Sequence, residues 1–174
     1  MLASWPLLAP PLVQALAMVF DEFYFHRQRG LGAWERIGHP LDTMTVLACL
    51  AWILFVQPSQ RAVEIYVVLA IVSCLFVTKD EFVHARRCSS AEQWLHALLF
   101  VLHPLTLASY GLMWPAIHLG DSELPSFLRA TRPLTTFVVG QSVLTTAFLL
   151  YQTIYWNLLR RRSWTPMRPS PDVR

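Results

Sequence analysis

Long apolar stretches, separated by short polar segments, follow one another along most of the chain. A helix needs about 20 predominantly apolar residues to cross the hydrocarbon core of a bilayer. Five stretches reach that length, so the pattern predicts an all-α fold, a polytopic membrane protein with five transmembrane helices. The predicted spans are residues 7–27, 39–56, 62–84, 92–115 and 133–159.

The segments that join these spans are short, which makes consecutive helices antiparallel neighbours in a bundle. Residues 1–162 therefore form one transmembrane domain. The remaining residues, 163–174, are polar and contain three prolines. We expect this tail to be disordered, because it has too little apolar surface to bury.

Composition agrees with a membrane protein. Hydrophobic residues make up 55% of the chain and charged residues only 14%, whereas a soluble domain carries about 25% charged residues. The basic residues stand in short clusters between apolar runs, a distribution typical of membrane topology and not of a nucleic-acid-binding face. We expect the lipid bilayer as a partner and no nucleic acid.

The distribution of Lys and Arg predicts the orientation. Eleven of these residues lie in or near the first and third connections and in the C-terminal segment, and three lie on the other side. Since basic residues concentrate in the cytoplasm, we predict a multi-pass protein of the bacterial inner membrane, with the N-terminus outside and the C-terminus inside.

An internal repeat carries most of the ionisable residues. The sequence Asp-Glu-Phe at 21–23 recurs at 80–82, and each copy is followed by a histidine, His26 or His84, and then by arginines. Two repeated hairpins would form a pseudo-symmetric four-helix transmembrane bundle. The fifth helix has no ionisable residue within its span, so we expect it to contribute packing.

Acidic residues and histidines recur at helical spacing within the two repeats. Residues four apart share one face of an α-helix, as in the three Glu-x-x-x-His pairs that begin at residues 22, 35 and 92. The proposed metal ligands are Glu22, His26, Glu35, His39, Glu81, His84, Glu92, His96 and His103. Three aspartates, Asp21, Asp42 and Asp80, are further ligands or hydrogen-bond partners that orient the histidines. The spacing leaves open whether Asp80 or Glu81 is the ligand.

Inward-facing carboxylates and imidazoles on four helices are the way in which helical bundles hold a dinuclear metal site. Carboxylate oxygens bridge the ions and balance their charge, and neutral imidazoles suit Fe, Zn or Mn. We expect two divalent metal ions, with Fe preferred and Zn or Mn as alternatives. Haem is not expected, because carboxylates surround the histidines.

A structural explanation competes with this one. Glu92 can form a capping box with Ser89, and the other charges can pair at the membrane interface. The acidic pairs at 21–22 and 80–81, however, lie at helix C-termini, where the helix dipole disfavours anions. His96 and His103 extend into an apolar helix, and intramembrane ionisable residues indicate function.

The segments DEFxxH at 21–26 and WERxGHPLD at 34–42 resemble an uncharacterised family of small bacterial multi-pass membrane proteins. The candidate ligands are also similar in kind to those of the ferritin-like di-iron carboxylate bundles. The Glu-x-x-His spacing of those bundles occurs here at Glu81 and His84, whereas the other pairs are four residues apart.

Three functions fit this pattern. The first is a di-iron oxidoreductase that acts on a lipid or quinone-like molecule at the cytoplasmic side. The second is a zinc-dependent membrane hydrolase with a carboxylate as general base. The third is a non-enzymatic metal-binding or carrier subunit of a membrane complex. The sequence leaves the substrate, the catalytic residues and the oligomeric state open.

Overall fold

The computed structural model describes residues 5–119 and 131–160, and these residues are helical almost throughout, with no strand among them. The helices are α1 Trp5–Phe20, α2 Arg27–Arg29, α3 Ala33–Phe55, α4 Gln60–Phe76, α5 Glu81–Arg87, α6 Ser90–His118 and α7 Thr131–Ile154. Irregular helical segments continue three of them: a π-helix at Asp21–His26, a 3₁₀ turn at Val77–Asp80 and a π-helix at Tyr155–Leu159. The predicted disordered tail at 163–174 lies outside the described residues.

Among the described residues, four helices are long and apolar enough to cross a membrane, which supports four of the five predicted spans. They comprise Ala33–Phe55, Gln60–Arg87, Ser90–His118 and Arg132–Leu159. The first predicted span, 7–27, is helical but is not among them. This helix continues from α1 through the π-helix to Arg29, which is long enough for a span, but Asp21, Glu22, Arg27 and Arg29 make its second half less apolar.

Capping residues explain why two helices begin where they do. α3 begins six residues before the predicted span, because the Glu35 side chain accepts a hydrogen bond from the Gly32 backbone N–H at 3.0 Å. α6 begins after Ser89, whose side chain accepts a hydrogen bond from the Glu92 N–H at 3.2 Å, as the sequence predicts. Both caps lie at the same end of the bundle.

Helices α3 and α6 form the centre of the bundle. α1 packs mainly on α6, α7 packs mainly on α3, and α4 contacts both central helices. The apolar core lies at the end where α3 and α6 finish and α4 and α7 begin. Its largest fully buried side chains include Trp114, Leu50, Ile53 and Met113.

Polar groups within this core find partners inside the protein. The Tyr66 hydroxyl donates to the Leu107 carbonyl at 2.6 Å, and the Trp114 indole donates to the Val56 carbonyl at 2.8 Å. These bonds link α4, α6 and the end of α3 and hold the three helices together at this end of the bundle. The opposite end, where α3 and α6 begin, holds most of the predicted metal ligands.

The outward faces of the helices remain apolar. Phe55 is 84% exposed and Leu75 is 67% exposed, with further exposed valines and leucines along α7. Soluble monomers rarely expose apolar surface on this scale. The composition and length of the helices are therefore those of a membrane protein.

Candidate metal centre

Four histidines meet at the polar end of the bundle, each contributed by a different helical segment. His26 comes from the first π-helix, His39 from α3, His84 from α5 and His96 from α6. Their ring centroids are 4.8 Å apart for His26 and His39 and 4.2 Å apart for His84 and His96. Between the pairs, the ring centroids are 6.4 Å apart for His26 and His96 and 6.2 Å apart for His39 and His84. The four rings therefore form one closed group, which we call the histidine quartet.

The π-helix at Asp21–His26 gives His26 two carboxylate neighbours. His26 Nε2 lies 3.1 Å from Asp21 Oδ2, and His26 Nδ1 lies 3.2 Å from Glu22 Oε2. All three residues are buried. A π-helix has wider turns than an α-helix and occurs often at functional sites. The wider turn brings both residues 21 and 22 to the face of His26, where an α-helix favours residue 22 alone.

The second Asp-Glu-Phe copy has a different geometry. Asp80 ends a 3₁₀ turn and is 2% exposed, with one carboxylate oxygen 3.6 Å from His39 Nε2. Glu81 is exposed and belongs to none of the compact groups of donor atoms. The buried acid of this copy is therefore Asp80, and the two copies are not equivalent in three dimensions.

Close contact between α3 and the 3₁₀ turn brings Asp80 to the quartet. A Cβ atom at Gly38 would lie 2.9 Å from the Lys79 Cε and 3.1 Å from the Asp80 carboxylate oxygens. A larger residue at position 38 would therefore displace the Lys79 and Asp80 side chains. Lys79 donates to Asp80 at 3.0 Å and to Asp42 at 2.6 Å, so Asp42 pairs with Lys79 beside the quartet.

Arg29 joins two further carboxylates across the site. Its guanidinium lies 2.8 Å from Glu35 Oε1 and 3.0 Å from Glu92 Oε1, and both glutamates are buried. Burial acts to lower the pKa of Arg29, but the hydrogen bond and negative charge of Glu35 outweigh it and raise the pKa above its usual value. Arg29 therefore stays charged and compensates the two carboxylates.

The donor atoms fall into groups compact enough for metal ions. One group comprises Asp21, His26, Glu92 and His96, and a second, with no shared residue, comprises Glu35, His39 and His84. Within each group the donor atoms lie within 4.8 Å of one another. Donors bound to one ion at about 2.1 Å stand roughly 3–4 Å apart, so small side-chain shifts would complete either site.

Two other groups overlap these. Glu22 groups with His26 and His39, and Cys88 groups with His84 and His96. Burial raises the pKa of the Cys88 thiol, and the positive charge of Arg29 opposes this shift only in part. Cys88 is therefore a neutral thiol unless an ion nearby stabilises its thiolate.

Several buried donor atoms of the cluster have no hydrogen-bond partner among the described residues. They are His84 Nδ1, His96 Nδ1, Asp21 Oδ1 and Asp80 Oδ1. A buried polar atom left in this state costs about 1–3 kcal/mol. Their concentration in one place leaves donor atoms available to a metal ion or to ordered water.

His103 lies apart from the quartet in a network of its own. Its Nδ1 is 3.1 Å from Gln14 Nε2, and its Nε2 is 2.9 Å from Ser73 Oγ. Both ring nitrogens therefore have partners, and His103 belongs to none of the four donor groups. The structure thus brings together seven of the nine predicted ligands and leaves out Glu81 and His103.

No protein family, curated protein or solved structure matches this chain. The resemblances drawn from the sequence therefore rest on the quoted segments alone, and the site is interpreted from its own geometry.

Sequence reasoning missed three contributors to the site, namely Arg29, Cys88 and Trp156. Arg29 and Cys88 lie in predicted connections, where the sequence does not indicate whether a side chain is buried. Trp156 lies in the second π-helix and donates from its indole Nε1 to Glu22 Oε1 at 2.5 Å. The fifth predicted helix thus contacts a candidate ligand directly, in addition to packing on the bundle.

Replacing Trp156 with phenylalanine is expected to destabilise the protein by about 1–3 kcal/mol, because Glu22, 1% exposed, would lose a buried donor. The measurement is thermal unfolding in detergent. Trp94→Phe is the matched control, since Trp94 is 70% exposed and its loss should change stability by under about 0.5 kcal/mol. Equal melting temperatures for the two variants would mean that the indole does not support Glu22.

Proposed function

We propose that this chain is a membrane-embedded dinuclear metal protein that holds two divalent ions at the histidine quartet. Fe is the preferred metal. We further propose that the chain is an oxidoreductase for a lipid or quinone-like molecule. The observation that carries the proposal is the pair of separate donor groups within one buried cluster. Each group mixes carboxylate oxygen with imidazole nitrogen.

The donor chemistry supports iron. Oxygen and nitrogen donors together suit Fe, Mn and Zn, and bundles that hold two iron ions use this mixture. The group of Glu35, His39 and His84 offers three donors, which leaves an ion free to accept water or substrate. When bound, the two ions would supply redox chemistry, while the protein supplies the ligands, the counter-charge of Arg29 and a buried environment.

The location of the site supports an amphiphilic substrate. The quartet lies at one end of a bundle whose outer faces are apolar. If the four long helices cross the bilayer, that end lies near the membrane interface, where the polar part of a lipid or quinone-like molecule would be found. An extended apolar part could remain among the lipids.

One observation favours a second candidate, a zinc-dependent membrane hydrolase. Cys88 groups with His84 and His96, and a thiolate with two imidazoles is a ligand set that zinc accepts readily. A zinc-bound water at such a site would be a hydrolytic nucleophile, and Glu92 or Glu35 lies close enough to act as general base.

Elemental analysis of the detergent-purified full-length chain, combined with its absorption spectrum, tests the proposal. We expect about two iron ions per chain, as in dinuclear bundle sites, and no Soret band. Stoichiometric zinc that is lost in Cys88→Ser would favour the hydrolase instead. A chain that stays metal-free after reconstitution with Fe, Mn and Zn would overturn both and leave a polar network. A Soret band would show haem.

A further inference from the structure

A cleft of about 420 Å³ opens beside the metal centre, between the start of α3 and the α5 helix. Its lining includes Trp34, Arg36, Phe82, Arg86 and Arg87, with Glu35 at its inner side. Glu35 belongs to the donor group with His39 and His84. The cleft therefore leads from the protein surface to a candidate metal ligand.

The cleft is positively charged. Arg86 and Arg87 are exposed, and within the part of the chain that the structure describes neither forms an ion pair with a carboxylate. Glu35 is the only acid among the described residues that line the cleft, and Arg29 already neutralises it. Exposed guanidinium groups without acidic partners are the groups that bind phosphate with charge-assisted hydrogen bonds.

The start of α3 also lines the cleft. α3 is a 23-residue helix whose N-cap, Gly32, and first residue, Ala33, belong to the lining. The Gly32 N–H is already bonded to Glu35, so the arginines supply the positive charge of the cleft. Arg87 Nη1 would lie only 3.1 Å from a Cβ atom at Gly32. The Arg87 guanidinium thus reaches across from α5 to the start of α3.

Apolar side chains form the outer edge. Phe82 is 79% exposed and Trp34 is 57% exposed, and both belong to the lining together with Val83. Exposed aromatic residues next to arginines are typical of the membrane interface, where aromatic rings and cationic heads meet lipid headgroups. A soluble anion would gain nothing from this edge, whereas a lipid would bury its glycerol and upper acyl chains against it.

We propose that this cleft binds a membrane lipid with an anionic phosphate headgroup, the phosphate on Arg86 and Arg87 and the acyl chains along Phe82 and Trp34. This inference rests on the proposed function in one respect: if the chain is an oxidoreductase for a lipid, the anionic phospholipid in this cleft is its substrate. The headgroup is then held beside Glu35, at the edge of the metal centre.

Lipid binding to the full-length chain in detergent, followed by native mass spectrometry, tests the proposal. The probes are dioleoylphosphatidic acid, dioleoylphosphatidylcholine, oleate and inorganic phosphate. We expect a clear preference for phosphatidic acid and a loss of affinity of about tenfold or more in Arg86→Gln/Arg87→Gln, because two charge-assisted contacts are removed. Metal content should be unchanged in this variant.

Arg61→Gln/Arg132→Gln is the matched control, because it removes the same charge from exposed arginines at the opposite end of the bundle. If both variants lost the same affinity for phosphatidic acid, the cause would be the total surface charge, and the proposal would be overturned. Oleate binding as tight as phosphatidic acid, phosphatidylcholine binding as tight, or displacement by inorganic phosphate alone would each overturn it as well.

The same samples separate the two proposals. A chain that binds iron but shows no preference for phosphatidic acid contradicts only the lipid site. A chain that prefers phosphatidic acid through Arg86 and Arg87 but never binds metal contradicts the proposed function and keeps the lipid site.

Discussion

His84→Ala and His96→Ala are each expected to lower the metal content of the purified protein from about two ions per chain to one or fewer. His96 is a donor in one of the two separate groups and His84 in the other. A site that loses a direct ligand should bind its ion at least about 100-fold more weakly. Even the loss of a residue that only orients a ligand lowers metal affinity by about 10–100-fold. The measurement is metal content after dialysis against a matched chelator concentration.

His103→Ala is the control for this experiment. His103 is as buried as His96, at 5% against 6% exposure, but its ring nitrogens bond to Gln14 and Ser73. We expect this variant to lose stability and to keep its metal. If His103→Ala lost as much metal as His96→Ala while both eluted as folded monodisperse protein, the quartet could not be the site.

Arg29→Met is expected to destabilise the metal-free protein by about 3–5 kcal/mol, the cost of leaving buried charges without their partner. Glu35 and Glu92 side chains are at most 3% exposed and share this one guanidinium. Added divalent metal should restore much of the lost stability, since an ion would supply the missing positive charge. The measurement is the apparent melting temperature in detergent, with and without metal.

Two further variants test the cause of this effect. Arg27→Met removes an exposed arginine whose guanidinium lies over the rings of Phe23 and Tyr155, and it should cost about 1 kcal/mol or less. Arg29→Met/Glu35→Gln should be more stable than Arg29→Met, because a neutral amide needs no counter-charge. If Arg29→Met had the same melting temperature as the wild-type protein, the guanidinium would not be compensating these carboxylates.

The helical spans could be predicted from the sequence because the transfer of a segment into an apolar environment depends mainly on its residue types. Four predicted spans correspond to long apolar helices in the structure. The start of α3 could not be placed as well, since it depends on the Glu35 cap. The membrane orientation and the proposed cofactor remain predictions, because they depend on groups outside the chain.

The choice between Asp80 and Glu81 illustrates where the repeat misleads. Two identical tripeptides suggest equivalent positions, but one copy folds as a π-helix and the other as a 3₁₀ turn followed by α5. The copies also differ in packing, since the Asp80 side chain lies against Gly38 of α3. Equivalent sequence therefore gives two buried acids in the first copy and one in the second.

The sequence by itself determined that the chain is helical, that its helices are apolar enough for a bilayer, and that acids and histidines share faces near one end. These are local properties, set by residue type and by the period of the helix. Only the tertiary structure decided that four histidines close into one quartet, that His103 stays outside it, and that Arg29 and Trp156 support its carboxylates. Those contacts join residues 63 and 134 positions apart in two cases, and no local pattern records which helix faces will meet.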